Sequence, residues 1–167
     1  MSLIVEDGTG VAGAISYASV EDARAYAAER GLVLPVDDAA VEVLLVRACD
    51  YLESLESQYK GVRTTPGTQA LAWPRSLVFL FGNATSIDDA LIPTRLRQAQ
   101  CQAAFDLQTA DPQATGTGRE VLSETIGPLS TTYAKRGTAA VRPVLTKVLD
   151  MLQPLMRQTG PLSTIRV

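Results

Sequence analysis

The sequence predicts a mainly α-helical chain: a small bundle of about four helices with a β-hairpin and a long irregular connection. Three observations predict it. Apolar residues recur at three- and four-residue spacing in several segments. Helix-start residues precede those segments, and Gly or Pro follows them. The chain also holds 22 Ala and only nine aromatics, a composition suited to closely approaching helices with small side chains between them. With 167 residues and 17.8 kDa, it reads as a single domain, 1–167. A compact fold of this mass leaves roughly 8,000 Å² exposed and buries about two-thirds of the extended-chain surface, so a core forms without staples.

The first element opens at Ser19, whose hydroxyl can cap a helix with Glu21 and Asp22 in its first turn, and it runs to Arg30 before Gly31. Asp37 and Asp38 open a longer helix. Its apolar residues Val41, Leu44, Leu45, Ala48, Leu52, Leu55 and Tyr59 share one face, and Glu42, Arg47, Asp50, Glu53 and Glu56 read as its solvated face. Residues 19–59 thus form an N-terminal helical hairpin. Over 60–92 the period is lost, with Thr64-Thr65-Pro66-Gly67, Trp73-Pro74 and Phe81-Gly82-Asn83 as breakers. A connection this long is usually functional. Its run Leu77 to Phe81 is either a short buried strand or a sticky loop completed by a partner.

Pro93 suits the first position of a central helix, 93–109, with one stripe at Leu96, Ala99, Gln100, Ala103 and Leu107 and a second at Cys101, Ala104 and Phe105. Residues 119–133 read as a β-hairpin around Gly127-Pro128. Pro143 opens a C-terminal helix, 143–158, carrying Val144, Leu145, Val148, Leu149, Leu152 and Leu155. Gly160-Pro161 then begins a tail, 160–167.

Charge is unevenly spread. Residues 1–59 hold eleven acids against Arg24, Arg30 and Arg47, whereas residues 60–167 hold twelve bases against seven acids. Such a split suits nucleic-acid contact by the basic part, or one copy's acidic face meeting the next copy's basic face. No run reaches the roughly 18 apolar residues of a bilayer span. The acidic start, MSLIVEDGTG, lacks the basic region of a signal peptide, so a soluble, intracellular chain with no membrane partner is expected.

Little here points to catalysis. The chain has no His, which removes the commonest general base and a frequent zinc ligand. Cys49 and Cys101 sit in Ala-flanked helical segments and read as small buried thiols. Gly8-Thr9-Gly10-Val11-Ala12-Gly13 matches the dinucleotide fingerprint in letters but lacks the strand before it and the helix directly after it. Asp37-Asp38 and Asp88-Asp89 precede helix starts, where acids are expected anyway. Asn83-Ala84-Thr85 is a glycosylation sequon without a secretory signal. No catalytic residue, metal site or cofactor is expected.

Basic residues neighbour aromatics three times: Tyr59 with Lys60 and Arg63, Trp73 with Arg75, and Tyr133 with Lys135 and Arg136. Converging on one surface, these would make a single-strand-binding groove. The competing reading makes the rings core residues whose basic neighbours reach water, and it weighs more because the net charge is −3.

The block Gln69-Ala70-Leu71-Ala72-Trp73-Pro74-Arg75 is distinctive. It occurs with Gly8-Thr9-Gly10, Ser16-Tyr17, Arg47-Ala48-Cys49-Asp50-Tyr51-Leu52, Ile92-Pro93 with Leu96 and Ala99, and Gly127-Pro128-Leu129 with Tyr133. In these features the chain resembles the DnaT-like single-stranded-DNA-binding protein family of tailed phages and prophages, and it is similar to head-completion adaptors of the phage neck. The resemblance spans nearly the whole chain. It implies a non-enzymatic head-to-tail connector forming a ring of about twelve copies between the portal protein and a stopper or other tail-side protein. DNA would pass through the lumen without tight binding. The protein would sit in the virion neck, and in the host cytoplasm before assembly.

The family label implies the alternative, single-stranded DNA binding in phage replication. Under the connector reading Trp73 and Pro74 fix the path of the long connection, Arg75, Phe79 and Phe81 contact another subunit or the portal, and Leu162, Ile165 and Val167 dock the tail. Under the alternative, Lys60, Arg63, Arg75, Lys135 and Arg136 contact nucleic acid.

Overall fold

The computed structural model describes residues 3–80, 86–109, 123–126, 129–132 and 145–157, the side chains of 123–132 excepted. Among these the chain is mainly α, with four helices and an antiparallel hairpin. Helix α1 spans Val20–Glu29. Ser19 caps it through a reciprocal pair of bonds with Asp22, each 3.0 Å, an arrangement that contributes about 1 kcal/mol. Gly31, at φ 63°, turns the chain out of it.

Helix α2, Asp38–Glu53, starts from an Asp37 cap and buries Val41, Leu44, Leu45, Ala48, Cys49, Tyr51 and Leu52. It ends earlier than its apolar spacing suggests. The Ser54 hydroxyl donates to the Tyr51 carbonyl, and a 3₁₀ turn, Glu56–Gln58, carries the chain to a buried Tyr59. The Tyr59 hydroxyl donates back to the Leu52 carbonyl at 3.0 Å, so Tyr59 keeps its place in the core although the helix has stopped.

Helix α3, Thr94–Asp106, is central and packs against α1, α2 and helix α4, Thr146–Leu152. Ala48, Ala99, Ala103 and Ala104 are fully buried, which lets the axes approach closely. Gln100 lies on this apolar face. It accepts from the Tyr17 amide at 2.9 Å and donates to Ser16 Oγ at 2.8 Å and to the Leu45 carbonyl at 2.9 Å. A buried amide group is tolerated because its polar atoms are engaged. Leu145, Val148, Leu152 and Leu155 are buried, the last in a 3₁₀ turn, Gln153–Leu155, that extends α4.

The long connection is not featureless. Strand β1, Val62–Arg63, pairs antiparallel with strand β2, Arg75–Ser76, in register Val62 with Ser76 and Arg63 with Arg75. Gly61, at φ 69°, admits this pairing, since a Cβ there would collide with the Ser76 carbonyl. Further along, β3, Ser123–Ile126, pairs with β4, Leu129–Thr132, Ile126 opposite Leu129. Among the described residues no helix is long and apolar enough to cross a membrane.

Candidate functional site

The ribbon β1–β2 and the segment between its strands form a polar knot at the C-terminal end of α2. Trp73 is fully buried, and its ring meets Tyr59 edge to face with centroids 5.8 Å apart. The Trp73 amide donates to the Tyr17 hydroxyl at 3.1 Å, and that hydroxyl donates to Glu53 Oε1. Glu53 Oε2 accepts from the Ala72 amide at 2.8 Å. Glu53, read as a solvated residue of α2, is therefore a half-buried link between the N-terminal segment, α2 and the connection. Burial pushes its carboxyl above the ordinary glutamate value, and the Tyr17 and Ala72 bonds act against that. Burial, with Glu53 alongside, pushes the Tyr17 phenol well above its usual range.

Arg75 is buried and its donors are spent on the backbone: Nε to the Lys60 carbonyl at 2.8 Å, Nη2 to Gly61 at 2.9 Å and Nη1 to Ala72 at 3.2 Å. Glu56 lies 3.6 Å from Nη1. Desolvation lowers its pKa from the usual guanidinium value, and Glu56 opposes the shift. Arg63 grips Glu56 with both ends, Nε to Oε1 at 2.6 Å and Nη2 to Oε2 at 2.7 Å, and the hydrogen bond from Arg63 holds the Glu56 carboxyl below its ordinary value. Lys60 Nζ donates to the Pro154 carbonyl at 2.9 Å and to Phe79 at 3.3 Å. Gln69 completes the knot by donating to Leu71 at 2.7 Å and to Pro74 at 3.0 Å.

Trp73, Pro74, Arg75, Lys60, Arg63 and Phe79 thus gather in one region, but they face different ways. Tyr59, Trp73, Pro74 and Arg75 point into the fold. The rings flanked by bases at 59 and 73 are core rings. Outward stand Phe79, Leu77 and Val62, with Val78 buried between the first two. The run Leu77 to Leu80 is therefore neither wholly buried nor wholly sticky. Leu77 is the one non-glycine residue with positive φ among the described residues, at 59°. Phe81, Lys135, Arg136, Leu162, Ile165 and Val167 lie outside the described residues, as do the sequon and Tyr133.

The glycine motif at the N-terminus has a local occupant. Glu6 is buried and accepts from the Gly8 and Gly10 amides, each at 2.9 Å, so the loop wraps a carboxylate of its own chain. Cys49 and Cys101 are both buried thiols. Burial pushes Cys101 up to about 12 and Cys49 higher still, which leaves neither as a ready nucleophile. Among the described residues no group of three or more Cys, Asp or Glu is placed to hold a metal ion.

Residue reading missed Tyr17 and Glu53 as partners, Glu6 as the centre of the glycine loop, and Leu77. Only Gln100 left a clear mark, as a polar residue inside an otherwise apolar stripe.

A family model described as "Putative DnaT-like ssDNA binding protein" matches residues 1–167. The chain belongs to that family. No curated protein and no solved structure matches it. The head-completion likeness has no counterpart among these comparisons.

Proposed function

We propose that the chain is a structural subunit of tailed-phage assembly, a head-to-tail connector that works through protein-binding surfaces. One observation carries this reading. At the Trp-Pro-Arg knot the aromatic rings are buried and the Arg63 and Arg75 guanidinium groups bond within the chain, while apolar Val62, Leu77 and Phe79 face solvent. A strand-binding groove needs the reverse, rings exposed for stacking and cations turned toward phosphate. The partners would be further copies in a ring of about twelve, the portal protein and a tail-side neck protein, with DNA passing loosely through the lumen. The place of action would be the virion neck. Leu162, Ile165 and Val167 would dock into the portal.

The second reading, single-stranded DNA binding in phage replication, is favoured by the description of the family to which the chain belongs. That description speaks for it more directly than for a connector. Lys135 and Arg136 add to it the basic character of the second half of the chain.

Electron microscopy of virions tests the connector: density for this protein at the capsid–tail junction is expected, and virions without it there sink the reading. Fluorescence anisotropy with labelled oligonucleotides tests the rival. Under the connector reading, binding at low salt is weak and not specific to single strands. Micromolar or tighter affinity that falls steeply with salt, as phosphate contacts require, would favour replication.

A further inference from the structure

No further inference is drawn: the strongest candidate, the buried Glu6 carboxylate in the N-terminal glycine loop, whose Oε2 has no hydrogen-bond partner, carries nothing, because among the described residues no set of three or more acidic or thiol groups is placed to hold a metal ion and nothing in the structure shows what would face that oxygen.

Discussion

Replacing Tyr17 with Phe removes one oxygen from the junction of three chain segments. That oxygen accepts from the buried Trp73 amide at 3.1 Å and donates to Glu53. Without it the Trp73 amide has no partner, and stranding a buried donor costs about 1–3 kcal/mol. The bond to the carboxylate is worth about 1.5–3 kcal/mol, as hydrogen bonds to charged groups are. Glu53 is only half-buried and keeps its bond from the Ala72 amide, so water recovers part of the second quantity. The expected loss is about 2–4 kcal/mol, a large share of the 5–15 kcal/mol typical of a folded domain. The chain holds a single Trp, so fluorescence in a urea titration reports on Trp73 itself. Tyr17→Phe should lower the unfolding midpoint with an unchanged slope. A loss below about 0.5 kcal/mol, the level of an ordinary surface substitution, would refute the reasoning.

Three further outcomes are expected. The Glu53 pKa is raised in the fold, so its contribution is fully present below the ordinary value of 4.5 and is lost as pH rises through the raised value. The stability of wild type minus that of Glu53→Gln should therefore fall over that window and then level off, as read by urea unfolding at several pH values. Gly8→Ala should destabilise by at least about 2 kcal/mol, whereas Gly13→Ala should cost only about 1 kcal/mol. Both glycines have positive φ, but only at Gly8 would a Cβ strike backbone, the Ala90 carbonyl. Cys49 and Cys101 should resist a thiol-specific reagent in the native state and react together on unfolding, because both are buried and their pKa values are pushed up.

Much of the helical frame was legible because it depends on local chemistry. Ser19 with Asp22, the buried stripe from Val41 to Leu52, and Leu96 with Ala99 and Ala103 follow from capping and from the 3.6-residue period. Helix ends were less legible. The apolar spacing reaches Tyr59, yet α2 stops at Glu53 because Ser54 and the Tyr59 hydroxyl take carbonyls near its end. At the candidate site the reading of Tyr59 and Trp73 as core rings was available from charge balance. The partners of Arg75 were not, since they are carbonyls contributed by Lys60, Gly61 and Ala72. Backbone acceptors leave no pattern in a sequence.

By itself the sequence determined which segments are helical and where the first three begin, because these properties repeat over a few neighbouring residues, whereas the helix expected from Pro143 to 158 starts only at Thr146, after a non-helical Leu145, and gives way to a 3₁₀ turn at Gln153. Tertiary structure alone decided that Glu53 faces Tyr17 and Ala72, that Glu6 fills the glycine loop, and that Leu77 and Phe79 look outward while Val78 looks in. Those outcomes depend on which distant atoms meet once the helices pack, and on how the buried polar groups are then satisfied.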